Sequence, residues 1–204
     1  MNHFHLQWIG AKTVRSRTFV CGHCGAQVAS EKGYCAQTNV HTGIAAVTVE
    51  AFIYICHKCC RPTFIDHDGT TTPGVPFGNS VKDIGEPSVR DLYEEARRAT
   101  GARSYTAAVL CCRKLLMHIA VSKGAKEGDN FVSYVEYLSA KNYVPPDARD
   151  WVDHIRKKGN ETNHEISIMK KEDAEELLGF IEMLLRVIYE FPSAMKRKYA
   201  GKTS

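Results

Sequence analysis

Two stretches of this chain carry side chains whose type and spacing could do chemistry. The first is a pair of cysteine knuckles, Cys21-Gly-His-Cys24 and Cys56-His-Lys-Cys59. Two CxxC turns can place four thiolates around one tetrahedral ion, and Gly25 after the first pair lets backbone amides turn towards the sulfurs. The second is Trp151 to Ile168, WVDHIRKKGNETNHEISI. If helix ran through Gly159, a spacing of four would stack Arg156, Asn160 and His164 on one face. If the Gly-Asn step ends the helix instead, Asn160 to His164 form a loop on a basic helix terminus made by Arg156, Lys157 and Lys158. Either arrangement could hold a phosphate and move a proton, since arginine offers a planar fork and imidazole titrates near neutral pH.

The knuckles need a scaffold, and residues 1–72 read as a small β-rich module built to hold them. Ile44 to Cys56 (IAAVTVEAFIYIC) is apolar, β-branched and partly alternating, as a strand feeding the second knuckle should be. The gap between the two pairs implies further strands or a loop around residues 30–43. This is the layout of a zinc ribbon, with Cys21, Cys24, Cys56 and Cys59 as ligands and Cys35 and Cys60 as substitutes. Four thiolates leave no open position for water, so the Zn²⁺ would be structural. The competing reading is a set of buried or redox-active thiols. His23 and His57 inside the knuckles are expected to be exposed, not ligating.

Residues 73–87 hold Pro73, Gly74, Pro76, Gly78, Gly85 and Pro87 and read as a linker. Helical periodicity then runs over 88–192. Ser88 with Asp91 suggests a capping box. Tyr105 to Lys123 is apolar on most sides and predicts the central helix, with Cys111, Cys112 and His118 as packed residues. A short aromatic helix follows at Phe131 to Leu138, then a break, then a helix carrying Trp151. Lys171 to Tyr189 predicts the last helix, with acids in its first turn. A second apolar line at Phe180, Met183 and Val187 widens its face, which implies burial inside the bundle or against a second copy. Residues 193–204 form a basic tail, expected to be solvated.

Composition sets the outer bounds. The chain has 204 residues, 44% hydrophobic and 25% charged, which fits a folded globular protein of one ordinary domain plus a small one. Net charge is +4, divided as +2 over residues 1–72, −2 over 73–192 and +4 over the last twelve. Any nucleic-acid-binding patch would therefore be local, with Arg156 to Lys158 as the candidate. No run of about 18 apolar residues is expected to span a membrane. The N-terminus lacks the layout of a signal peptide, so the expected compartment is the cytoplasm, where cysteines serve as metal ligands or packed thiols. No phosphate loop of the GxxxxGK[ST] type and no GxSxG elbow is present, so no nucleotide cofactor or activated serine is implied.

Paired CxxC knuckles, a Pro/Gly linker, the Glu95-Ala96-Arg97-Arg98 helix and Ile155-Arg156-Lys157-Lys158-Gly159-Asn160-Glu161-Thr162-Asn163-His164 together resemble domain-of-unknown-function family 4145. That family is similar to the wider HEPN group of helical bundles found in prokaryotic defence and toxin systems. The resemblance implies an α+β chain: a zinc ribbon followed by an all-α HEPN-like bundle of about five helices, working as a homodimer. In HEPN ribonucleases an arginine, often followed by asparagine, precedes a histidine by four to six residues, and cleavage is metal-independent. Asn160 and His164 match the asparagine and histidine, whereas the arginine position is Gly159. Two functions are thus in play. One is an interaction module for nucleic acid or protein, with a degenerate ribonuclease motif. The other is an active endoribonuclease using His164 with Arg156 and Asn160.

Overall fold

The computed structural model describes residues 7–41, 46–144 and 168–200. The chain divides into two compact units, Met1–Pro76 and Phe77–Ser204. The first is an antiparallel sheet and the second is helical, so the α+β expectation matches the fold.

The sheet has five strands in sequential order: β1 (Lys12–Val20), β2 (Gln27–His41), β3 (Ala46–Ile55), β4 (Pro62–Ile65) and β5 (Thr71–Thr72). Every neighbour pair is antiparallel. The long gap between the knuckles is filled by β2 and β3, which pair from Gly33↔Tyr54 to His41↔Ala46. β3 is rich in β-branched and aromatic residues, as a half-buried pleated strand requires. One face gathers Phe19, Val28, Phe52, Tyr54 and Ile65 against the buried Cys21 and Cys56. Phe19 and Phe52 flank the Tyr54 ring at centroid distances of 5.6 and 5.5 Å. Tyr54 is 1% exposed. The backbone comes too close for a side chain at Gly33, where an added Cβ would lie 1.9 Å from the Ile53 carbonyl oxygen.

The helical unit contains α1 (Pro87–Gly101), α2 (Tyr105–Ser122), α3 (Phe131–Ala140), α4 (Lys171–Leu185), a π-helical turn (Arg186–Glu190) and α5 (Phe191–Ala200). Helix α2 reaches the length and mean hydropathy (1.2 over 18 residues) of a membrane span, although Arg113, Lys114 and His118 interrupt its apolar sequence. In this fold it is a core helix. Val109, Cys112, Leu115, Leu116 and Ile119 are buried, and it packs against α1, α3 and α4. Burial pushes the Cys112 thiol far up, so it stays protonated and packs as a small hydrophobe.

Three local details differ from the sequence reading, and the face of α4 follows one of its two alternatives. Helix α1 starts at Pro87, with Glu86 as N-cap, instead of at a Ser88–Asp91 capping box. Proline is preorganised for the first helical position, which places Ser88 inside the first turn; its hydroxyl donates to Glu86 Oε1 at 2.8 Å. Residues 77–86 are not a free connection. Phe77, Val81 and Ile84 join the helical core, and Arg97 donates to the carbonyls of Phe77 (2.9 Å) and Gly78 (2.8 Å) and to Ser80 (2.8 Å). The wide apolar face of α4 is used within one chain: Phe180 is fully buried, and Met183 packs against the same core. Finally, the stretch read as the start of a solvated tail is helical through Ala200. Pro192 has no N–H to donate to Ile188, and the ladder widens just before it, with Phe191 N–H bonded to Arg186 O. The helix expected to carry Trp151 lies outside the described residues.

Candidate metal centre

The two knuckles are built alike. In the first, Cys21 N–H donates to Ala26 O at 2.9 Å and Gly25 N–H to Cys21 O at 2.8 Å. In the second, Cys56 N–H donates to Arg61 O at 3.0 Å and Cys60 N–H to Cys56 O at 2.8 Å. Each closes the end of one strand onto the start of the next, β1 to β2 and β3 to β4. Gly25 and Cys60 occupy the same turn position, and both have positive φ, 69° and 56°. Glycine adopts that conformation freely, while a cysteine there is held by its surroundings. Its carbonyl accepts the Trp8 indole N–H at 2.8 Å, which fastens the N-terminal segment to the second knuckle. Sequence reasoning missed Trp8; nothing in its local sequence signals a partner 52 residues away.

The adjacency of β1–β2 and β3–β4 in one sheet brings the knuckles together. The sulfurs of Cys21, Cys24, Cys56 and Cys59 all lie within 4.8 Å of one another. Two cross-knuckle pairs are at 3.7 Å (Cys21–Cys59) and 3.9 Å (Cys24–Cys56). With metal–sulfur bonds of about 2.3 Å, a tetrahedral Zn²⁺ site needs sulfurs about 3.8 Å apart. A disulfide needs about 2.05 Å, and all eight cysteines are free. The donor set therefore fits a thiolate-held tetrahedral cation, with zinc the ordinary occupant. Among the described residues Cys35 and Cys60 stand outside the cluster; the Cys35 thiol is exposed and donates to Ala36 O at 3.7 Å.

Electrostatics point the same way. Burial pushes the Cys59 thiol up to about 12, and the neighbouring sulfurs of Cys21, Cys56 and Cys24 add to the rise. The Cys24 thiol is raised as well, again first by burial. Cys21 is lowered: burial would raise it, but the backbone amides of Cys24 and His23 and the thiols of Cys59 and Cys24 outweigh that. A sulfur whose ionised form is favoured by amides, beside thiols that resist ionising, makes a site that a positive charge would complete. A divalent cation would supply it and displace the protons.

His23 is exposed, and its Nε2–H reaches the Pro62 carbonyl at 3.0 Å, linking the first knuckle to the strand after the second. His57 is also exposed. Neither joins the cluster. The other candidates, Arg156, Lys157, Lys158, Asn160 and His164, lie outside the described residues. In the helical unit, His118 Nε2 lies 2.9 Å from Glu86 Oε1 at the start of α1. The Glu86 carboxyl is held below its usual value, first by the Ser88 hydroxyl and then by His118.

No curated protein and no solved structure matches the chain. A family model described as "Domain of unknown function (DUF4145)" matches residues 94–201, from the second turn of α1 past the end of α5. With more than half of its length covered by that model, the chain belongs to the DUF4145 family.

Proposed function

We propose that this protein is an interaction module. A zinc-anchored ribbon joined to a HEPN-like helical domain engages a nucleic-acid or protein partner in prokaryotic or phage defence or stress biology. The observation that carries this reading is the closed cluster of Cys21, Cys24, Cys56 and Cys59. Four sulfurs at tetrahedral spacing leave no coordination position for a substrate or an activated water, so the metal would hold the knuckles and do no chemistry itself. The HEPN assignment and the defence setting are supported by the motif resemblance. The same resemblance supports a homodimer, and a set of free cysteines suits the cytoplasm, where thiols stay reduced. Gly159, standing where HEPN ribonucleases carry arginine, favours binding over cleavage.

The test is incubation of a mixed RNA pool with zinc-loaded protein in EDTA, with His164→Ala alongside, while binding is followed by gel shift. Binding without cleavage in either protein is the expected result. Cleavage by wild type that falls ~100-fold or more in His164→Ala would instead establish the endoribonuclease reading, with Arg156 and Asn160 as its next residues to test.

A further inference from the structure

We infer that the ribbon carries a phosphate-binding recess for single-stranded nucleic acid at the bulge of β1, formed by Arg15, Ser16 and Arg17 over Phe52 and Tyr54. This deepens the nucleic-acid form of the proposed function and rests on it.

The recess originates in the strand register. β1 is the first edge strand of the sheet, and its pairing with β2 jumps from Thr13↔Lys32 to Arg17↔Ser30. Three residues, Val14 to Ser16, therefore stand opposite Glu31 alone. Such a bulge bends the strand and re-aims its side chains. Here it is pinned to the core, because Tyr54 Oη donates to the Arg15 carbonyl at 2.7 Å, and Tyr54 is itself wedged between Phe19 and Phe52. The result is a recess of about 270 Å³ lined by Arg15, Ser16, Arg17, Phe52 and Tyr54.

Both arginines are exposed, and among the described residues neither guanidinium has an ion pair or hydrogen bond. The nearby acids make their direct contacts with other groups. The loop bordering Arg17 at Gly69 turns Asp66 onto His67 (2.8 Å) and Asp68 onto Thr70 (2.8 Å). Glu50 accepts from Gln37 at 2.7 Å. Glu31 lines a different recess, with Trp8 and His57. An exposed edge is often protected by charge and a bulge, but that role does not require two arginines without a direct carboxylate partner to share a cavity.

The lining chemistry selects the ligand. Two guanidinium forks and a hydroxyl suit phosphate oxygens. Because Arg15 and Arg17 stand two residues apart on an edge strand, successive phosphates of one chain can reach both, so the occupant is a phosphodiester within a single-stranded chain.

The experiment is fluorescence anisotropy of a labelled oligouridylate of about twelve nucleotides, within the usual span of such sites, with the full, zinc-loaded chain. Salt is varied from about 50 to about 200 mM, and Arg15→Ala/Arg17→Ala and Lys157→Ala/Lys158→Ala are compared with wild type. Removing two phosphate contacts should lower the slope of log K against log salt by about 1.4 and weaken binding at least about tenfold at the lower salt. Zinc content should stay unchanged. If the arginine pair binds as wild type does while the lysine pair loses binding, the recess assignment is overturned and the nucleic-acid reading survives. If wild type does not bind, both fall. If pyrophosphate binds wild type as tightly as the oligonucleotide, the recess is a small-anion site and the polymer assignment is overturned.

Discussion

Replacing Arg97 with methionine should destabilise the helical unit by about 1–3 kcal/mol. Arg97 is 8% exposed and donates four short bonds: to Phe77 O, Gly78 O, Ser80 Oγ and, at 2.6 Å, Glu94 Oε2. Methionine keeps the apolar stem beside the Tyr93 ring but leaves these acceptors without a donor. A buried acceptor left unmatched costs about 1–3 kcal/mol. The partly exposed Glu94 carboxylate (27%) and the exposed Gly78 and Ser80 can rehydrate, which leaves chiefly the carbonyl of half-buried Phe77. Loosening of Phe77, Val81 and Ile84 from the core would follow. For a unit of this size about 3–5 °C of Tm accompanies each kcal/mol, so the expected loss is ~3–15 °C. Thermal unfolding followed by far-ultraviolet circular dichroism measures it, since that signal is dominated by the helices. Limited proteolysis should also show earlier cleavage between residues 74 and 86. A Tm drop under about 3 °C, with unchanged proteolysis, would refute the argument that Arg97 holds this segment.

Three further expectations follow from individual side chains. Cys60→Gly should retain full metal content and change stability by no more than about 1 kcal/mol, because glycine takes the positive φ without strain; loss of metal would make Cys60 a ligand. The Glu182 carboxyl is held below 4.5: burial would raise it, but the Asn79 backbone and side-chain N–H groups and Arg186 outweigh that. A depressed carboxyl stabilises the fold above its unfolded value and loses that contribution as pH falls through its folded value. Wild type should therefore lose Tm below about pH 4.5, and Glu182→Gln should be less stable at pH 7 with a shallower acid decline; parallel curves would contradict this. Gly33→Ala should disrupt the β2–β3 pairing, since its Cβ would meet the Ile53 carbonyl oxygen at 1.9 Å; unaltered protease resistance of the ribbon would show that the strands can part without cost.

What could be read from the sequence was what depends on local spacing. Two CxxC knuckles and a run of β-branched residues announced the ribbon, and a period near four announced α1, α2 and α4. What escaped was long-range. Trp8 reaching Cys60 O, Tyr54 reaching the bulge at Arg15, and Arg97 holding Phe77 to Ser80 all join residues that carry no mutual signal in the chain. Pro87 and Pro192 misled for one reason: proline marks both the end of a loop and the first turn of a helix. The width of the apolar face on α4 left two readings open, and the burial of Phe180 inside the chain selected one of them.

The central claim is that the four knuckle cysteines hold one metal ion. The direct measurement is elemental analysis of purified chain, followed by Co²⁺ exchange and absorption spectroscopy, with Cys24→Ser alongside. The account predicts one zinc per chain, intense sulfur-to-cobalt charge-transfer bands with the d–d pattern of a tetrahedral thiolate site, and loss of stoichiometric metal and of ribbon protease resistance in Cys24→Ser. A wild-type chain that folds without metal, with Cys21, Cys24, Cys56 and Cys59 all free to react with a thiol reagent, would contradict it.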